Sequence, residues 1–206
     1  MTESGDLERN KAVELAMKKI EEQFGKGRII PLQSKRGRIG TLTKVYVSNY
    51  KSIRSGSINL TDLTVFVGMN GSGKSNMLDA ITFLSDVVLH GLDFAINSRG
   101  DMQSIVRNTQ RLGSYFSIKL FFVLDDGVKY SYKLKVKRPK YREYQIVEEV
   151  LTANSKIKFR AVDGTVNSFQ GGIAPKNIGN NLLLAVPASS EAYTKVKDFI
   201  SGMRLY

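Results

Sequence analysis

The sequence predicts an α/β fold, and three observations predict it. An uninterrupted apolar run, Leu63–Val67, leads into the glycine-rich stretch Gly68–Ser75. A helical pattern follows at once over Met77–Leu89, with Met77, Ala80, Ile81, Leu84, Val87 and Val88 along one side. Downstream, alternating runs flank turn residues, which is the signature of β-hairpins. A chain of 206 residues with 42% hydrophobic content has the material for one domain with a real core.

In chain order, residues 1–25 read as an amphipathic helix. Val13, Ala16, Met17, Ile20 and Phe24 recur at helical spacing, and Glu14, Lys18, Lys19, Glu21 and Glu22 fall on other faces. Ser4 or Asp6 can cap its start and Gly25 can stop it. Two readings stand for its apolar stripe: packing back on its own domain, or docking on a partner subunit. Residues 26–41 form a basic linker, punctuated by Gly27, Pro31, Gly37 and Gly40 and carrying Lys35, Arg36 and Arg38. It is read as a solvated connector or as an arm that touches nucleic acid.

Residues 42–206 carry the α/β pattern. Leu42–Val47 and Ile53–Leu60 read as strands, with a turn at Ser55-Gly56. Leu63–Val67, apolar throughout, suits a strand buried on both faces. Phe116–Leu124 and Val128–Val136 flank Asp125-Asp126-Gly127, a hairpin signal, and Ile146–Leu151 with Ile157–Val162 suggests a second hairpin. Leu182–Val186 is stopped by Pro187, and Glu191–Met203 reads as a final helix.

Composition excludes several classes of chemistry. Zero Cys removes disulfides, thiol catalysis and Cys-ligated metals, and the single His90 removes multi-His sites. The polar start MTESGDLERN is not a signal peptide, and no apolar run is long enough to span a bilayer, so no membrane partner is expected. A cytoplasmic location is the expectation. With 31 Lys+Arg against 19 Asp+Glu, the net charge is +12 and favours polyanion partners.

Gly68-Met69-Asn70-Gly71-Ser72-Gly73-Lys74-Ser75 fits G-x-x-x-x-G-K-[ST] at every fixed position. The glycines let the backbone fold into a concave nest whose N–H groups face phosphate oxygens. The helix that follows adds the positive end of its dipole. The expected ligand is ATP with Mg²⁺. Gly68, Asn70, Gly71, Ser72, Gly73, Lys74, Ser75 and Asn76 form its cradle, with Lys74 on the β- and γ-phosphates and the Ser75 hydroxyl on Mg²⁺.

Asn49–Ile53 (NYKSI) followed by Asp62–Asp86 resembles the amino-terminal half of a RecF/SMC/ABC-type ATPase head, nearest the AAA-family ATPases related to the OLD nucleases and RecF. The resemblance continues through Gly91–Asn108, the Asp125-Asp126-Gly127 hairpin and Phe199–Tyr206, and covers about 42–206. It implies a P-loop NTPase lobe with a mixed sheet and β-hairpins, and a role in DNA repair, DNA metabolism or phage defence. It also implies that Lys51 and Ser52 neighbour the nucleotide. Such heads hydrolyse ATP as a sandwich of two, using a signature loop and a Walker B carboxylate from a second half. No signature loop follows Ser75. Phe121–Asp126 has the look of a Walker B strand, but Gly127 makes its acids turn residues. No catalytic residue is therefore assigned. Hydrolysis is expected only for a complete head, or with a second head or companion chain. The alternatives are a DNA- or partner-binding module with a vestigial P-loop, and a non-functional truncated or hybrid gene product.

Leu7–Leu32 resembles the start of bacterial RecA, where a lone helix precedes a connector and packs on the neighbouring protomer. A hybrid reading frame meeting near Gln33–Thr41 accounts for both resemblances. Finally, Lys133, Lys135, Lys137, Arg138, Lys140 and Arg142 crowd one stretch without an acid, beside Tyr132 and Tyr141. On a strand, the three lysines share one face. The cluster reads as a ribbon that follows the phosphates of DNA, or as a solvated hairpin edge guarded by lysine.

Overall fold

The computed structural model describes residues 11, 14–15, 18–19, 22, 32–34, 40–61, 64–107, 114–138, 144–171, 175–185 and 191–205. Its strands are β1 (Leu32–Ser34), β2 (Gly40–Tyr50), β3 (Ile53–Asn59), β4 (Tyr115–Leu124), β5 (Lys129–Lys137), β6 (Gln145–Ala153), β7 (Lys156–Val162), β8 (Thr165–Phe169) and β9 (Met203–Leu205). Its helices are α1 (Lys74–His90), α2 (Leu92–Asn97), α3 (Met102–Ile105) and α4 (Glu191–Ser201).

Period-2 alternation builds the sheet. Phe116, Ile118, Leu120 and Phe122 of β4, and Tyr132, Leu134 and Val136 of β5, turn one way and are buried. Seven strands pair in the order β3-β2-β4-β5-β6-β7-β8. Three tight turns set the register. Gly127 closes β4 on β5 at φ 73°, donating its N–H to Leu124 O at 3.0 Å. Asn154-Ser155 and Asp163-Gly164 join β6–β7 and β7–β8, with both residues of each at positive φ, the two-residue geometry that matches strand twist. Strand β8 is absent from the sequence reading, although the Asp163-Gly164 signal for it is present.

Three expectations need correction. All described pairings in this sheet are antiparallel, where a mixed sheet is expected. A parallel pair needs a strand on each side of a crossover, and among the described residues none pairs with the segment before α1. That segment, Thr64–Val67, is accordingly irregular rather than a strand buried on both faces, and Val67 is 65% exposed. The β2–β3 turn lies at Lys51-Ser52, with Lys51 at φ 47°, not at Ser55-Gly56. Gly56 sits opposite Val47 within the ladder, where a Cβ would make ordinary contact with the Met77 methyl at 3.6 Å, so it is a strand residue and not a bend.

Helix α1 packs on the inner face of β2 and β4 and against α2, α4 and β9. Tyr50, Phe83 and Phe116 meet edge to face, with centroids 5.3–5.8 Å apart. Replacing Phe83 by alanine should lower unfolding free energy by about 3–5 kcal/mol, read from urea midpoints. Phe199 of α4 stacks on Phe122 at 4.7 Å. In the run before Pro187, Leu183–Ala185 form a short 3-10 turn, and Leu182, Leu183 and Leu184 are buried. Glu149 of β6 pins that turn. Its carboxylate is fully buried and accepts from Leu183 N at 2.5 Å, Leu184 N at 3.0 Å and the Tyr132 hydroxyl at 2.9 Å.

At the N-terminus, Lys11, Glu14, Leu15, Lys18, Lys19 and Glu22 are helical and exposed. The stripe Val13, Ala16, Met17, Ile20 and Phe24 lies outside the described residues, as do Ser4, Asp6, Gly25, Lys35, Arg36 and Arg38. Within the 26–41 stretch, β1 pairs antiparallel with β9, Leu32 opposite Leu205 and Ser34 opposite Met203.

Candidate nucleotide-binding site

The glycine-rich loop turns between Val67 and α1. Gly71 at φ 81° and Gly73 at φ 93° hold conformations that a side chain would strain. Helix α1 then starts at Lys74, with Met77 N donating to Gly73 O at 2.9 Å. No side chain caps this helix start, and its first turn has no acid. The leading N–H groups therefore keep their donor capacity and the positive end of the dipole is unopposed, which is the arrangement an anion seeks.

Lys74 folds back over the loop. Its Nζ donates to Gly68 O at 2.6 Å, Met69 O at 2.8 Å and Ser72 Oγ at 3.2 Å. The ammonium thus stands inside the nest formed by Gly68–Gly73, held by groups that exposure to water leaves easy to exchange for phosphate oxygens. Ser75 is exposed, and Asn70, Gly71 and Ser72 are exposed around the loop. Asn76 turns aside: its Nδ2 donates to Ser52 Oγ at 2.7 Å. These residues fit a magnesium-bound triphosphate, because they combine a fixed cation, open backbone donors and a hydroxyl at the head of the helix, with no acid in the first turn of α1 to repel the ligand.

The Lys51-Ser52 turn flanks the loop. A Cβ on Gly73 would lie 3.5 Å from Ser52 Oγ. Lys51 itself pairs with Asp79 Oδ2 at 2.6 Å. Asp79 also accepts the Tyr50 hydroxyl at 2.6 Å and Arg99 Nε at 2.9 Å, and Arg99 Nη1 reaches Asp86 at 2.9 Å. Burial alone would raise the Asp79 carboxyl, but the hydrogen bonds from Lys51 and Tyr50 and the Arg99 charge outweigh it and hold it below the usual range. This hub ties the loop helix to the β2–β3 turn and to the α2–α3 region. Sequence reasoning missed it. The available signal was Asp79, Thr82 and Asp86, polar at i, i+3 and i+7 and so on one side of the helix.

Asp125 and Asp126 are turn residues, and Asp126 Oδ1 accepts Val128 N at 2.8 Å. His90 ends α1, tilted over Phe94 at 4.6 Å. Lys133, Lys135 and Lys137 share the outer face of β5, and Arg138 N donates to Ser114 O at 2.9 Å just beyond it. Lys140 and Arg142 lie outside the described residues.

A glycine nest closed by a lysine ammonium at an open helix start defines a P-loop nucleoside-triphosphate-binding protein. The AAA ATPase domain family model matches residues 41–172, and the chain belongs to that family. It is 33% identical over 127 residues to structural maintenance of chromosomes protein 1 of Schizosaccharomyces pombe, covering 55% of this chain and 10% of that protein. It is 39% identical over 79 residues to an uncharacterized protein of Methanocaldococcus jannaschii, covering 37% and 24%. It is 26% identical over 105 residues to the DNA replication and repair protein RecF of Phocaeicola vulgatus, covering 50% and 26%. The likeness is to the SMC/RecF type of AAA P-loop ATPase, and the matched segments span about a quarter or less of each relative. Among the described residues, no helix is long and apolar enough to cross a membrane.

Proposed function

We propose that this chain binds Mg-ATP in Gly68–Asn76, as a cytoplasmic ATPase lobe serving DNA repair, DNA metabolism or phage defence. The observation that carries the reading is Lys74, whose ammonium stands in the glycine nest at the start of an uncapped helix. In this reading Lys74 moves from its carbonyl partners to the β- and γ-phosphates. Ser75 ligates Mg²⁺, and the bound metal spreads the charge of the phosphate chain. Lys51 exchanges Asp79 for the nucleotide. The domain organisation in this reading is a helix over 1–25, a basic connector over 26–41 and an ATPase half-head over 42–206.

Hydrolysis in this reading waits for a second head or companion chain that supplies a signature loop and Walker B carboxylate. The support is that the two acids nearest to a Walker B pattern, Asp125 and Asp126, serve a hairpin turn. The test is titration of the full chain with Mg-ATP, with phosphate release followed in the same samples. Saturable binding with background release is expected. Steady release by the chain alone, removed by Lys74→Ala, would overturn the requirement for a partner. Failure to bind Mg-ATP at all would overturn the whole reading.

A second reading rests on the basic strand β5, whose outward lysines Lys133, Lys135 and Lys137, with Arg138, Lys140 and Arg142 next in sequence, suit the phosphates of DNA.

A further inference from the structure

We infer that Asp79 regulates the phosphate cradle by parking the Lys51 ammonium away from it, so that an arriving triphosphate must draw Lys51 off a carboxylate. The inference rests on the reading above in which Lys51 meets the nucleotide. It makes Asp79 a positioning residue, not a nucleotide contact.

The turn that carries Lys51 is fixed, and its side chain is not. Lys51 sits at φ 47° and Asn49 at φ 53°, conformations that a non-glycine residue holds only when its surroundings impose them. Here the segment after α3 imposes them. Lys51 N donates to Ile105 O at 2.6 Å, Arg107 N donates to Asn49 O at 2.9 Å, and Tyr50 bridges Val106. On the other side, Asn76 Nδ2 donates to Ser52 Oγ at 2.7 Å. With the backbone clamped between α1 and residues 105–107, the freedom left at Lys51 is that of its flexible four-carbon stem.

Asp79 takes the end of that stem. Its Oδ2 lies 2.6 Å from Lys51 Nζ, and the ammonium stands 5.8 Å from the Tyr50 ring centroid, within range of a cation–π contact. Asp79 follows Ser75 by four residues, about 6 Å along α1 at about 1.5 Å per residue. The parked ammonium is thus about one helical turn from the head of the helix. Rotation about side-chain bonds covers that distance.

The hub is built to let Lys51 leave. Arg99 Nε donates to Asp79 Oδ1 at 2.9 Å and the Tyr50 hydroxyl to Oδ2 at 2.6 Å, so both oxygens keep a donor when Lys51 departs. Arg99 is itself fixed by Asp86 at 2.9 Å, by Ala95 O at 3.0 Å and by Ser98 Oγ at 3.2 Å. Its side chain is 9% exposed, against 27% for Lys51. Removing a cation from a buried carboxylate is costly when it leaves the charge uncompensated, and here the more buried cation stays behind. Lys51 is therefore the member that a ligand can remove. Asp79 sets the threshold, because a ligand has to offer Lys51 more than one carboxylate does.

The test is calorimetric titration with Mg-ATP of the full chain and of four variants: Asp79→Asn, Lys51→Gln, these two combined, and Tyr50→Phe. Lys51→Gln should weaken binding. Asp79→Asn should tighten it by about 2- to 5-fold, the worth of a partly exposed ion pair. In the Lys51→Gln background the same change should have no effect, whereas a general loss of negative charge near the cradle would tighten binding in both backgrounds. Tyr50→Phe should act the other way. Without the hydroxyl, departure of Lys51 leaves Oδ2 with no donor, so Mg-ATP should bind about 2- to 5-fold more weakly. That variant keeps the ring that packs on Phe83 and Phe116, so it carries the test even where Asp79→Asn fails to fold. Unchanged or weaker binding by Asp79→Asn would overturn the inference, as would an equal gain with and without Lys51. Unchanged or tighter binding by Tyr50→Phe would do the same. If the parent binds Mg-ATP and Lys51→Gln binds it equally well, the parking role falls while the P-loop reading stands. No binding by the parent removes both.

Discussion

Replacing Lys74 by alanine is expected to weaken Mg-ATP binding by about 10- to 100-fold, the worth of a hydrogen bond to a charged group at about 1.5–3 kcal/mol. The change removes the ammonium that stands against Gly68 O, Met69 O and Ser72 Oγ in the nest. Gly68 O, Met69 O and Ser72 Oγ lose their shared donor, but each is open to water, so the fold should keep its melting temperature within about 2 °C. Lys74→Arg should not restore binding, because a planar fork does not fit the space that a compact ammonium fills. Calorimetric titration of the two variants beside the parent checks both points. An unchanged affinity in Lys74→Ala would remove the P-loop from the account of this protein.

Replacing Glu149 by alanine is expected to be among the most destabilising single changes in the molecule. It strands three buried donors, the Tyr132 hydroxyl and the N–H groups of Leu183 and Leu184. The cost is on the order of 3–5 kcal/mol, measured as a shift of the urea midpoint. Glu149 also sets a pH dependence. Full burial pushes its carboxyl up to about 7, against the opposing pull of the Leu184 and Leu183 N–H groups and Tyr132. In the unfolded chain the group keeps its ordinary value of 4.5. Between these two values the folded state holds a proton that the unfolded state has released. The contribution is therefore fully present below the unfolded value and is lost as pH rises through about 7. Urea midpoints between pH 5 and pH 8 should fall with rising pH by way of this group, and Glu149→Gln should flatten that part of the profile. A profile identical in parent and Gln variant would show that Glu149 stays ionised throughout.

How much of this was legible can be judged from particular residues. The eight-residue loop and its helix were fully legible, because the loop needs glycine at positive φ and the helix needs its apolar spacing, and both requirements act over a few neighbours. The hairpins around Gly127 and at Asn154-Ser155 were legible for the same reason. Asp163-Gly164 carried an equally plain signal that was passed over, and β8 with it. Glu148 and Glu149 posed a question that alternation sharpens, since one of two adjacent acids in a strand must face inward. Which one, and what receives it, depended on Leu183 and Leu184 more than thirty positions away.

By itself, then, the sequence determined the class of fold, the glycine-rich loop at Gly68–Ser75 and the lysine that folds back over it. Tertiary structure alone decided that Asp79 gathers Tyr50, Lys51 and Arg99, that Val67 lies exposed, and that Lys44, Lys119 and Arg160 join the β5 lysines on one face. The physical reason is range. Backbone conformation and periodicity are settled by residues a few bonds apart, whereas burial and charge pairing are settled by strand register, which brings together side chains that the chain keeps far apart.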